Sequence, residues 1–184
     1  MLFQFHITTD LIEQKQPFLQ LCAEKNVKPV LIELEKGDYI KQPMFTQLVE
    51  TENFSQALGQ VQHTIKAFER AGFVIRRVKV EINPDENQDY LAEQNYYEWH
   101  CKVKPNQMLQ LKTLCEQHHA HLSLNALYSG ERFITIRHTQ KTTFYQWVQQ
   151  MQTVLKQIGQ PVIKEKFEYC IYDNFIELDK GWVS

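Results

Sequence analysis

From Tyr97 to Lys104 apolar and charged residues alternate almost without error. Tyr97, Trp99, Cys101 and Val103 take one set of positions, and Glu98, His100, Lys102 and Lys104 take the other. Successive side chains of a strand point to opposite faces, so the pattern predicts a strand with one apolar and one charged face. Similar alternation, or a short apolar run, predicts strands at 2–9, 28–35, 73–82, 121–127, 132–138 and 162–173. A weaker one lies at 39–48, where Pro43 argues for an edge strand or a bulge. Helical spacing fills the gaps. Phe18, Leu21 and Cys22 share a stripe within 12–26, and Leu58, Val61, Ile65 and Phe68 share one within 53–72. Met108, Leu111, Leu114 and Cys115 mark a helix at 106–119, and a fourth spans 143–159; Gly72 and Gly159 are natural stops.

The element order is β-α-β-β-α-β, written twice on either side of a polar, turn-rich stretch. Residues agree between the halves as well: "FLQLC" with "LKTLC", "LEKGD" with "LYSGE", Lys79 with Lys166, Glu81 with Glu168 and, allowing one slip, His6 with His100. The expected fold is therefore α+β, a tandem duplication of a ferredoxin-like βαββαβ unit. Repeat 1 would span 1–83, a linker 84–94, repeat 2 95–173 and a C-terminal strap 174–184. Two antiparallel sheets would carry helices on their outer faces. Their bare faces would then meet each other, a partner or water.

Those bare faces collect chemistry. They offer Gln4, His6 and Thr8 from the first strand, Arg77, Lys79 and Glu81 from the fourth, and Glu98, His100 and Lys102 from the fifth. His121, Ser123, Asn125, Thr135, Arg137, Lys164, Lys166 and Glu168 complete the set. Basic groups outnumber acidic ones there, although the 184-residue chain carries a formal net charge of −2. A net-cationic cleft suits a small phosphate- or carboxylate-bearing ligand, and imidazoles among the cations suit proton transfer. On this reading His6, with His100 or His121, is the candidate catalytic set. Thr8, Arg77, Lys79, Glu81, Glu98, Lys102, Ser123, Asn125, Arg137, Lys166 and Glu168 are the candidate ligand-binding residues. The competing readings are a non-catalytic module that binds a metabolite, a surface that joins two copies as a homodimer, or a solvated sheet face braced by pairs such as Lys79–Glu168.

His6-Ile7-Thr8 and His121-Leu122-Ser123 resemble the paired His-x-Thr/Ser tripeptides of the 2H phosphoesterases. That likeness implies a two-lobed α/β body in which His6 and His121 carry protons at a cyclic or related phosphodiester, while Thr8 and Ser123 hold the phosphate. Glu98-x-His100-x-Lys102 resembles the Glu-x-Glu-x-Lys opening of the CYTH triphosphate tunnels, with His100 in place of the middle glutamate. The whole chain also resembles a bacterial family without an assigned activity, which gives no residue a role.

Composition narrows the rest. With 43% apolar and 23% charged residues the chain reads as an ordinary globular protein, and its charge suggests neither nucleic acid nor an anionic membrane. No apolar run reaches membrane-spanning length, and residues 1–10 lack the features of a signal peptide. Cys22, Cys101, Cys115 and Cys170 form no Cys-x-x-Cys pair, which suggests buried free thiols and a cytoplasmic location. "HHAH" at 118–121 lacks nearby carboxylate or thiol partners, so neither metal nor cofactor is expected. In the tail, Phe175, Ile176 and Trp182 read as a cover for an open edge, with Asp173 and Asp179 able to reach the cleft.

Overall fold

A computed structural model describes residues 1–128 and 130–182. Ser129, within the stop expected after the sixth strand, and Val183 and Ser184, at the end of the expected strap, lie outside the described residues. The elements are β1 (Leu2–Thr9), α1 (Lys15–Glu24), β2 (Lys28–Leu34), β3 (Lys41–Glu50), α2 (Phe54–Arg70), β4 (Ile75–Ile82), β5 (Tyr96–Val103), α3 (Met108–Gln117), β6 (His121–Asn125), β7 (Arg132–His138), α4 (Lys141–Gln157) and β8 (Val162–Asp173). Short 3₁₀ turns at Pro84–Glu86 and Gln88–Tyr90 occupy the stretch between β4 and β5, and another at Ile176–Asp179 follows β8.

The expected pair of ferredoxin-like sheets, related by an internal duplication and facing each other across a cleft, is not what forms. The eight strands of the described residues close into one antiparallel barrel in the order β1-β3-β2-β6-β7-β5-β8-β4, with β4 returning to β1. Closure runs through edges. Ile32, Glu33 and Leu34 of β2 pair with Asn125, Leu124 and Ser123 of β6, and Lys79–Ile82 of β4 pair with β8 between Asp173 and Tyr169. An unpaired edge leaves a row of backbone donors and acceptors without strand partners, and closure satisfies both rows at once. The faces expected to meet as two sheets instead curl round a single lumen.

Pro43 also departs from expectation, because β3 is an interior strand paired with β1 and β2. The ladder to β1 ends at Thr8↔Met44, so Pro43 lies one position beyond it, where its missing N–H costs β1 no bond.

The outer surface of the barrel carries the apolar core. Phe3, Phe5, Ile7 and Phe45 lie fully buried with Phe18 of α1 and Phe68 of α2, and the Phe45 and Phe68 rings stack 4.1 Å apart. On the other half Trp99, Ile134 and Ile136 are fully buried together with Phe144 and Met151 of α4. Each such side chain contributes roughly 1.5–3 kcal/mol of burial. Helix boundaries follow local chemistry: Asn53 accepts a bond from the Gln56 N–H at the start of α2, and Gly72 and Gly159 take positive φ beyond α2 and α4. All four cysteines are free and buried. No helix of the described residues is long and apolar enough to cross a membrane.

Candidate functional site

Alternation that sends the apolar half of each strand outward sends the polar half into the lumen. Both ends of that lumen carry charge, arranged differently.

At one end the chain after β8 folds back and plugs the barrel. Gly37 makes this possible: with φ of +114°, a Cβ there would lie 3.0 Å from the Lys180 carbonyl oxygen and 3.2 Å from Trp182 N. Leu178, Asp179 and Trp182 are buried, and Trp182 Nε1 donates to the Leu122 carbonyl at 3.2 Å. Asp179 receives Arg77 Nη1 at 3.1 Å, Arg77 Nη2 at 3.0 Å and Arg137 Nη2 at 2.6 Å. Asp173 receives Arg77 Nε at 2.8 Å and the Tyr96 hydroxyl at 2.6 Å. Arg137 Nε donates to Glu98 at 2.7 Å, and its guanidinium lies 4.3 Å from the Tyr96 ring centroid. Burial opposes charge on Asp179, yet Arg137 and Arg77 override it and hold the carboxyl at about 2. Burial opposes charge on Asp173 too, and Arg77 still draws it below the usual range.

In the middle, Lys79 bridges Glu98 and Glu81, the latter at 2.5 Å. Burial disfavours the ammonium, but the two carboxylates keep Lys79 protonated far above its ordinary range. Glu98, despite burial, is held well below the carboxylate range by Arg137 and Lys79.

The other end is open. The β4–β8 ladder stops at Ile82↔Tyr169, while β8 continues toward Val162 paired only with β5, so the wall splits there. A cavity of about 560 Å³ lies in the split, with Gln4, Glu81, Lys166 and Glu168 on its polar side and Leu2, Leu48 and Phe167 among its apolar lining. His6 and His100 sit just inside, both part-exposed. Their Nδ1 atoms are held by threonines: Thr46 Oγ1 lies 3.0 Å from His6 Nδ1, and Thr135 Oγ1 lies 2.9 Å from His100 Nδ1. Both Nε2 atoms therefore face acids, His6 at 2.9 Å from Glu81 and His100 at 3.4 Å from Glu98 and from Glu168.

Burial, then Glu81 beside it, raises the Glu168 carboxyl, whereas Glu81 stays well below its ordinary range because Lys79 and His6 outweigh burial. Two glutamates in contact cannot both ionise freely, and here the pair splits its affinities for the proton. His100 is shifted upward: burial works against its charge, but Glu98 and Glu168 prevail.

The sequence-predicted residues thus divide. His6, His100, Glu81, Lys166 and Glu168 meet at the mouth; Lys79 and Glu98 lie beneath; Arg77 and Arg137 belong to the plugged end. Lys79 pairs with Glu81 and Glu98, not with Glu168. His121 joins neither His6 nor His100. It is buried against Trp182, with ring centroids 5.6 Å apart, and its Nδ1 makes no hydrogen bond. Burial, with Lys36 and Arg137 nearby, lowers it to about 4. Among the described residues the buried Thr8 hydroxyl has no hydrogen-bond partner, and Ser123 is buried close to His121 on β6, so the two His-x-Thr/Ser tripeptides are not brought to one site. Asn125 serves the backbone, accepting from the N–H groups of Leu31 and Leu127. Lys102 pairs with Glu131 at 2.5 Å, and Lys164 is exposed.

The cationic excess disappears once the lumen closes. Arg77, Lys79, Arg137 and Lys166 are balanced by Glu81, Glu98, Glu168, Asp173 and Asp179. Alternation does not single out Tyr96, Thr46 or Gln42, the last of which donates toward Asp179 at 3.3 Å. Tyr96 opens a strand among apolar neighbours, and the other two lie on β3, whose pattern is the weakest in the chain.

These features define a closed antiparallel barrel with a charged lumen, sealed at one end and open at the other. No protein-family model matches the sequence, and no curated protein does either. Among solved structures, the small subunit of acetolactate synthase from Thermotoga maritima is similar over 94% of this chain and 96% of its own, at 11% identity and a TM-score of 0.35. Similarity at that level carries no argument about fold or role.

Proposed function

We propose that the open mouth binds a small organic molecule bearing a phosphate or carboxylate group. The observation that carries this reading is the cavity of about 560 Å³, whose apolar rim stands over convergent polar groups. Small-molecule sites typically combine an apolar lining with a few placed polar side chains, and this volume lies within their range. Lys166, exposed at the rim, faces the ligand's anionic group, and Leu2, Leu48 and Phe167 take its apolar part.

The test is a thermal-shift screen with nucleotides, cyclic phosphodiesters and organic acids, followed by calorimetry on Lys166→Glu and Leu48→Glu. Binding should weaken about tenfold or more in each if a charged and an apolar contact are both lost. Binding unchanged in both variants removes the mouth as the site. A catalytic reading is favoured by one further observation, that His6 and His100 face the same Glu81–Glu168 pair. Its check is turnover of a cyclic phosphodiester that is abolished in His6→Ala and His100→Ala while the circular dichroism spectrum is retained.

A further inference from the structure

The Gln4 carboxamide is in an impossible position as a plain hydrogen-bond donor. Its Nε2 lies 2.6 Å from His6 Nε2, 2.6 Å from Glu168 Oε1 and 3.1 Å from Glu81 Oε2. An amide nitrogen carries two hydrogens, and three acceptor atoms surround this one. The imidazole makes the conflict sharper, because His6 Nε2 also lies 2.9 Å from Glu81 Oε2. If Nε2 offers its lone pair to Gln4, it confronts the Glu81 oxygen with no hydrogen between them. If Nε2 bears hydrogen for Glu81, it confronts the Gln4 N–H instead. Neither tautomer satisfies both contacts. Turning the amide over brings Oε1 against two carboxylates and takes the acceptor away from Lys166.

With the Gln4 amide swung aside, a cation in its place removes the conflict, since the three atoms can then close on one centre. We propose that the mouth holds a first-row divalent transition metal at the position of the Gln4 amide nitrogen, bound by His6 Nε2, Glu81 and Glu168, with His100 adjacent. The donor atoms of His6, Glu81 and Glu168 all lie within 4.8 Å of one another, close enough to close on one ion. Imidazole with carboxylate suits zinc, manganese, iron or cobalt, whereas calcium and magnesium prefer all-oxygen sets.

Three independent features agree. Thr46 fixes His6, and Thr135 fixes His100, through Nδ1, which leaves each Nε2 aimed at the acids; metal-bound histidines are held through their far nitrogen in this way. Glu81 is buried, and while its Oε1 pairs with Lys79 at 2.5 Å, its Oε2 is the oxygen turned toward His6 and Gln4. The cavity gives an ion and an exchangeable ligand a route in. The inference rests on the reading of the mouth as a ligand site and deepens it: an ion on Glu81 and Glu168 gives the ligand's anionic group a second cation beside Lys166. The metal would be the bridge.

The experiment is calorimetric titration of the full chain, dialysed against EDTA and then buffer, with Zn²⁺, Mn²⁺ and Co²⁺, alongside the visible spectrum of the Co²⁺ form. One ion per chain is expected, with a thermal shift upward and cobalt bands of an imidazole–carboxylate site. Glu168→Gln and His6→Gln, which remove direct ligands, should each weaken binding by more than the roughly 10–100-fold that loss of an outer-shell partner costs. Gln4→Ala, which removes the group standing at the ion's position, should bind as tightly as the parent or more so. Absence of binding overturns the proposal, as does binding that survives both Glu168→Gln and His6→Gln, which would place the ion on surface histidines. Organic-ligand binding that is indifferent to EDTA and to added metal, with no metal titration, would leave the mouth a ligand site and remove the metal alone.

Discussion

The two ends of the barrel use the same residue types to opposite effect. At the plugged end Arg77 and Arg137 are matched by Asp173, Asp179 and Glu98 in bidentate or shared bonds, beneath a tail whose Leu178 and Trp182 are buried. At the mouth Gln4, His6, Glu81 and Glu168 place more acceptors than donors around one point, beside a cavity. A saturated charge cluster can only hold the fold together. The cluster at the mouth, where threonines hold the two imidazoles, is where we propose that a ligand binds. The lesson is that burial of charge does not distinguish structure from function; the balance of donors and acceptors does.

That contrast makes the largest stability effect fall at the plugged end. Arg137→Ala leaves Glu98 and Asp179 short of a buried cation, and loss of one partner from a buried pair costs about 3–5 kcal/mol. Urea unfolding should show it. Next, Gly37→Val forces a side chain into the Lys180–Trp182 backbone at a positive φ; displacement of the strap should cost about 1–3 kcal/mol and make Trp182 fluorescence more solvent-like.

Third comes pH. His121 is neutral in the fold, with its affinity for protons lowered to about 4, whereas in the unfolded chain it titrates near 6.5. The unfolded state therefore takes up the proton first, and the stability tied to neutral His121 is lost as pH falls from about 6.5 toward 4. At pH 5 the loss is roughly 2 kcal/mol by linkage. His121→Gln should flatten that part of the pH profile, and an unchanged profile would contradict the assignment. The smallest effect belongs to the mouth: Gln4→Ala should alter stability by no more than about 1 kcal/mol, since it removes an over-subscribed donor.

Alternation made the lumen residues readable in advance, because inward and outward positions on a strand do not depend on whether the sheet closes. Gln4, His6, Lys79, Glu81, Glu98, His100 and Glu168 were all placed on the polar side by period alone. Closure was not readable. It depends on β2 finding β6 and β4 finding β8, pairings between residues about 90 positions apart that leave no local signature. The error over net charge has the same origin. Asp179 lies in a 3₁₀ turn without periodicity, and only the close approach of Gly37 and Gly181 brings it under Arg77 and Arg137. His121 misled for a different reason. The tripeptide it opens has the right spacing, but Trp182 buries it away from the mouth.

The most direct measurement compares the ends by like substitutions. Asp179→Asn and Glu168→Gln each replace a buried carboxylate with its amide, and urea unfolding at pH 7 gives both costs on one scale. The expected result is a loss of about 3 kcal/mol or more for Asp179→Asn and a change within about 1 kcal/mol, of either sign, for Glu168→Gln. Equal losses at the two ends would contradict the division of the lumen into a structural plug and a site held open for a ligand.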